Sequence, residues 1–199
     1  MSAADEGTAA PAGSAPAGSA PAGSLPAGSV PAGSAPREQD RYVAVIGPRT
    51  ADARLYQLAY EVGAELAGRH AVLLCGGLTG VMEAAARGAR EASPPGRSIG
   101  LLPGTDRQEG NPFLDYTLAT GLAEARDGAL VTSADAVIAV GCNPGTLIEI
   151  GYALKRQRPL AVLAGWAVLD ESGQPVPGFR VARTAAEAVT MVLGQAGDG

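Results

Sequence analysis

Apolar residues recur along the chain in two alternating periods from residue 41 onward. Arg41-Tyr-Val-Ala-Val-Ile-Gly47 is a short β-branched run closed by glycine, which predicts a buried parallel strand. Leu55, Leu58, Ala59, Val62 and Leu66 then share one face of a helix over 51–68. The same alternation predicts strands at 71–75, 98–102, 135–140 and 160–164, with a short extended piece at 116–118. Helices are predicted at 79–91, 122–132 and 145–156, and a long loop at 103–113. Thr184-Ala-Ala-Glu187 has capping-box spacing ahead of Ala188, Val189, Val192 and Leu193, so a last helix opens there.

Repeated strand–helix units joined by right-handed crossovers build a doubly wound α/β sheet, here expected to be mainly parallel. Ligands of such sheets bind beyond the carboxyl ends of the strands. That rule selects the loops after Ile46, Cys75, Leu102 and Val140.

Residues 1–40 follow neither period. Six of the 15 prolines (Pro11, Pro16, Pro21, Pro26, Pro31 and Pro36) stand there at a spacing of five, in a PAGS repeat, and all aromatic residues come later. Ala, Pro, Gly and Ser have almost nothing to bury, so a disordered tail is expected over 1–40 and a folded domain over 41–196. The chain after the tail is long enough to bury a core without disulfides or a structural metal. Net charge is −5, and the tail holds four acidic side chains against one arginine. No basic run is present to track a phosphate backbone, so nucleic acid is not an expected partner. The longest apolar stretch, Leu160 to Leu169, is about half a membrane span. No signal-peptide pattern opens the chain, and Cys75 and Cys142 form neither a C-x-x-C pair nor a zinc site. A cytoplasmic protein that binds neither membrane nor metal is expected.

Two glycine-rich loops carry the candidate chemistry. Gly76-Gly77-Leu78-Thr79-Gly80 joins a strand to a helix start, and Gly47 closes the first strand. Bare glycines let backbone N–H groups approach an anion, and a helix N-terminus adds partial positive charge. The same glycines also suit an ordinary tight βα turn, since G-x-G-x-x-G and G-x-x-x-x-G-K-[ST] are both absent. Gly141-Cys142-Asn143-Pro144-Gly145-Thr146 is the second loop. Pro144 suits a first helical turn, Thr146 places a hydroxyl and an N–H there, and Glu149 follows one turn on. Glu149 reads either as a crevice carboxylate or as a charge that complements the helix dipole.

The run Cys75-Gly-Gly-Leu-Thr-Gly-Val-Met-Glu-Ala-Ala-Ala-Arg-Gly-Ala89 resembles the first signature of the LOG (LONELY GUY) proteins. Gly145-Thr146-Leu147-Ile148-Glu149 is similar to the G-T-x-x-E end of their P-G-G-x-G-T-x-x-E motif. Ile99-Gly-Leu-Leu-Pro-Gly-Thr-Asp106, Asn111-Pro112, Gly121-Leu122 and Ala125-Arg126 resemble a bacterial branch that includes molybdenum-cofactor carrier-like proteins. The resemblance covers roughly residues 41–166 and implies a Rossmann-like homodimer that binds a small-molecule nucleotide with no separate cofactor. Enzymes of the LOG group split a nucleoside 5'-monophosphate into free base and ribose 5-phosphate. Their arginine and glutamate map onto Arg126 and Glu149 as a catalytic pair, with Gly47, Gly76, Gly77, Gly80, Gly141, Asn143, Gly145 and Thr146 as ligand-binding positions. A carboxylate can stabilise the positive charge that N-glycosidic cleavage develops on the sugar. An arginine can hold a phosphate in a fixed fork. Arg126 also has a structural reading, a pairing with Glu124 or Asp127.

Gly141-Cys142-Asn143 departs from P-G-G. Asparagine tolerates the left-handed backbone of a glycine turn, and Cys142 reads as a small packed hydrophobe. Side chains in place of two glycines favour an alternative function, a non-catalytic carrier or sensor of a nucleotide-like ligand such as the molybdenum cofactor. His70 falls in a turn, Glu83 on a helix surface, and Trp166 at a rim; Arg49 and Asp106 sit in crevice loops. Lysine decarboxylase chemistry would need a Schiff-base lysine. The only lysine, Lys155, lies beyond Glu149 on a helix, which excludes that activity.

Overall fold

The computed structural model describes residues 40–194. The PAGS repeat and residues 195–196 of the expected domain lie outside them. Seven strands, β1 (Tyr42–Ile46), β2 (Val72–Cys75), β3 (Arg97–Leu102), β4 (Tyr116–Ala119), β5 (Ala136–Val140), β6 (Leu160–Leu163) and β7 (Phe179–Ala182), form one sheet in the order β4-β3-β2-β1-β5-β6-β7. All six pairings are parallel. The helices are α1 (Ala53–Gly68), α2 (Val81–Glu91), α3 (Arg126–Ser133), α4 (Pro144–Lys155) and α5 (Ala185–Leu193). The expected doubly wound α/β architecture is therefore present, with a sheet that is parallel throughout.

Both faces of the sheet are covered, which is why its strands read as continuous apolar runs. In β1, Val43 and Val45 join the core that includes α1, α2 and α5 residues, while Ala44 and Ile46 join the one that includes α3 and α4 residues. Side-chain caps open α1 and α5. Asp52 caps α1 through Leu55 N at 2.7 Å. Thr184 Oγ1 accepts from Glu187 N at 3.1 Å, and the Glu187 carboxylate reaches back to Arg183 N at 2.8 Å.

Helices α1 and α2 approach through glycines. A Cβ on Gly63 would overlap the Ala85 carbonyl, and one on Gly88 would overlap the Tyr60 carbonyl. Because backbone cannot yield as a side-chain tip can, Gly63→Ala is expected to cost about 1–3 kcal/mol. Gly151, inside α4, has nothing within 4 Å of its Cβ position. Gly151→Ala should stabilise by up to about 1 kcal/mol through helix propensity. Urea denaturation of both variants checks the opposite signs.

Three elements differ from the sequence-based expectation. Strand β7 was not anticipated, because Arg180 and Val181 point to solvent on an edge strand and hide its pattern. The helix expected over 122–132 opens as a separate 3-10 turn, Ala123–Ala125, with Ala123 at φ 48°, and α3 proper begins at Arg126. The loop after β3 holds a 3-10 turn, Arg107–Glu109, capped by Asp106.

The strand order fixes where a ligand site can lie. From β1 the chain steps outward through β2, β3 and β4, and α3 then returns it to β5 on the other side of β1. At this reversal the loops after β1 and β5 diverge, and a crevice opens at the carboxyl ends of the strands.

Candidate functional site

A cavity of about 150 Å³ occupies that crevice. Ile46 and Gly47 from the end of β1, Arg49 beyond them, Gly76 from the end of β2 and Met82 from α2 form one side. Arg126 and Asp127 from the start of α3 and Asn143, Gly145, Thr146 and Glu149 from α4 form the other. A cavity of about this volume holds a benzene-sized ring, so a phosphate- or ring-sized group fits it. The remainder of a larger ligand would extend over the rim, where Arg49 is exposed.

Arg126 is the centre of the charge arrangement. It is 8% exposed, and its Nη1 lies 2.8 Å from Asp127 Oδ1 and 3.8 Å from Glu149 Oε1. Both ion pairs use Nη1, and the buried Nε has no hydrogen-bond partner among the described residues. Gly76 makes room for this guanidinium. A Cβ there would stand 2.6–2.7 Å from Nη1, Nη2 and the Met82 sulfur.

Glu149 is 7% exposed, and burial raises its carboxyl to about 8, with the Asp127 charge adding to the rise and Arg126 opposing it. Burial outweighs the arginine because the guanidinium lies closer to Asp127 than to Glu149. Asp127 is also raised, by burial first and Glu124 last, against the Arg126 charge. One guanidinium thus serves two carboxyls, Glu149 buried and Asp127 half-buried, and a proton on Glu149 relieves the excess negative charge. Behind them, burial pushes the Cys75 thiol up to about 11, which keeps it neutral.

The start of α4 takes a form the sequence did not predict. Asn143 is extended at φ −141°, ψ 178°, and acts as N-cap. Its Oδ1 accepts from Thr146 N at 2.8 Å and from Thr146 Oγ1 at 3.0 Å. The left-handed residue of this turn is Gly141, at φ 73°. The backbone tolerance of asparagine is therefore not used, because its capping ability is. Cys142 packs partly buried against the core on the α3–α4 side.

Arg126, Glu149, Gly47, Gly76, Asn143, Gly145 and Thr146 come together around one cavity. Gly77, Gly80 and Gly141 do not line it. Gly77, at φ 76°, packs against Gly100 and Leu102, and a Cβ on Gly80 would press on Pro48 and Arg49 backbone. The left-handed turn at Gly141 lies against Leu55 and Pro48. These three shape the loops that carry the site. Glu83 accepts from Tyr56 Oη at 3.3 Å, and Trp166 and His70 are exposed. The sequence reading overlooked Asp127 as a member of the site. It weighed Asp127 only as the partner that would make Arg126 structural, whereas the arginine faces both Asp127 and Glu149.

Among the described residues, no group of three His, Cys, Asp or Glu side chains could hold a metal ion, and no helix is long and apolar enough to cross a membrane.

Comparison with known proteins agrees with this architecture. A protein of Archaeoglobus fulgidus described as uncharacterised is 38% identical over 151 residues, 76% of this chain and 93% of that one. The molybdenum cofactor binding protein of Rippkaea orientalis superposes with a TM-score of 0.69 at 31% identity, over 78% of this chain and 96% of that one. The molybdenum cofactor carrier protein of Chlamydomonas reinhardtii gives a TM-score of 0.67 at 32% identity, over 77% and 96% of the two chains. The SLOG cluster4 family model matches residues 40–191. With a family model that matches most of the chain and a fold shared with these structures, this chain belongs to the SLOG cluster4 family.

Proposed function

We propose that this protein binds a small anionic, nucleotide-like molecule at the β1–β5 crevice and acts as a carrier or sensor of it. The observation that carries this reading is Arg126, a buried guanidinium in a ligand-sized cavity with an unengaged donor. Arginine holds phosphate oxygens in a planar fork, so an incoming phosphate would meet a preformed cation. The molybdenum cofactor, a phosphorylated pterin bound by similar proteins, is the first cargo to test. A cavity of about 150 Å³ suits its phosphate or one ring. Assembly as a homodimer belongs to the same reading, and sedimentation measures it.

Hydrolysis of a nucleoside 5'-monophosphate is the second reading, favoured by the 3.8 Å approach of Arg126 to Glu149. Its difficulty is electrostatic. A carboxyl raised to about 8 is mostly neutral at pH 7 and stabilises a cationic sugar poorly. Incubation with a panel of nucleoside monophosphates and with molybdenum cofactor distinguishes the two. Tight binding of one compound without release of free base is the expected result. Release of base that disappears in Glu149→Ala would establish the hydrolase and overturn the carrier.

A further inference from the structure

We propose that Asn143 determines which anion position the crevice offers: its carboxamide fills the oxyanion place at the N-terminus of α4, so the anionic group of a ligand is held on Arg126 instead. This rests on the reading that the crevice binds an anionic ligand, and it adds where the anion sits and what excludes it from elsewhere.

A helix begins with N–H groups that have no intrahelical acceptor, and these are what an anion at a helix N-terminus uses. In α4 two of the four are removed or engaged. Pro144, at the first position, has no N–H. Thr146 N donates to Asn143 Oδ1 at 2.8 Å. The Thr146 hydroxyl donates to the same Oδ1 at 3.0 Å. Gly145 and Asn143 itself keep an N–H, and Asn143 Oδ1 stands 3.4 Å from the Gly145 Cβ position. An oxyanion approaching this turn therefore finds the Thr146 N–H and hydroxyl already engaged by a carboxamide oxygen.

The second, independent observation lies across the cavity. Arg126 is more than nine-tenths buried, its Nε is without a partner, and its guanidinium lies against the bare backbone of Gly76. Arg126 and Asn143 line the same cavity, so closing one anion position leaves the other. The ligand chemistry this selects is an oxyanion that takes a guanidinium fork, such as a phosphate monoester, rather than one that needs a nest of helix amides.

Inorganic phosphate and a nucleoside 5'-monophosphate are suitable probes, titrated by calorimetry into wild type, Asn143→Gly, Asn143→Ser, Asn143→Asp and Arg126→Gln. Wild type is expected to bind the monophosphate and to lose it in Arg126→Gln. Asn143→Gly removes the carboxamide and should bind phosphate about tenfold more tightly, the equivalent of one added hydrogen bond to a charged group. Serine restores a cap and should return affinity toward that of wild type. Aspartate keeps the cap, adds negative charge and should weaken binding. Circular dichroism and thermal melts establish that each variant is folded. A folded Asn143→Gly that binds phosphate no more tightly than wild type overturns the inference, as does wild-type binding that survives Arg126→Gln. If wild type binds and Asn143→Gly gains nothing, the inference alone fails. If no protein in the set binds either probe, both it and the ligand-binding reading fail.

Discussion

Arg126→Ala should weaken ligand binding roughly a hundredfold or more, the scale seen when one partner of a buried, hydrogen-bonded charge pair is truncated. The stability cost follows from what is left behind. Glu149 stays buried and Asp127 half-buried, with side-chain exposures of 10% and 20%, and both lose the only cation paired with either of them among the described residues. Breaking a buried pair from one side costs about 3–5 kcal/mol. Part of that cost is relieved by protonation, since Glu149 already tends to hold a proton. The loss should therefore be larger at pH 9 than at pH 6, where carboxyls accept protons more readily. Arg126→Lys is informative beside it, because a lysine restores the charge without the planar fork. Stability recovered without binding would assign the binding to fork geometry. Unchanged affinity in Arg126→Ala would show that the ligand lies elsewhere.

Glu149 gives the second large effect, a dependence of stability on pH. Its carboxyl ordinarily titrates at 4.5 and is raised to about 8 in the fold. The folded protein thus keeps a proton that the unfolded chain releases once the pH passes 4.5. The stability linked to this group is fully present below about 4.5, declines as the pH rises, and is gone above about 8. Asp127, also raised, acts in the same direction from a lower starting pH. Melting temperature should fall between pH 5 and pH 9, and Glu149→Gln, which resembles the protonated form, should flatten much of that slope. Anion affinity should weaken over the same range, because ionised Glu149 repels the ligand and competes for Arg126. Parallel stability profiles for wild type and Glu149→Gln would refute the assignment.

Most of the fold was legible because it is written in local periodicity. β-Branched runs covered on both faces, helices with one apolar stripe, and Thr184-x-x-Glu187 at a helix start each state their structure within about twenty residues. Strand β7 escaped for the opposite reason. An edge strand with two exposed central residues has no apolar period to read. The site was legible in part. Glycine-rich turns and an acidic residue one turn into a helix pointed to the loops that line the cavity. Gly77, Gly80 and Gly141 have the same composition signal yet serve turn geometry and packing, and one glycine cannot be told from another without knowing what its missing Cβ would meet.

The sequence by itself determined a doubly wound α/β domain after residue 40, the loops at the carboxyl ends of its strands, and Arg126 and Glu149 as the charged residues to watch. Those follow from periods of two and 3.6 and from residue chemistry, which are properties of short segments. The tertiary structure alone decided that the strand order reverses between β1 and β5, that Asp127 shares Arg126 with Glu149, and that Asn143 turns its side chain onto Thr146. Each depends on distances between parts of the chain that packing brings together, or on one rotamer among several. The protonation of Glu149 belongs with them, since burial raises its carboxyl, and burial is set by everything packed around it.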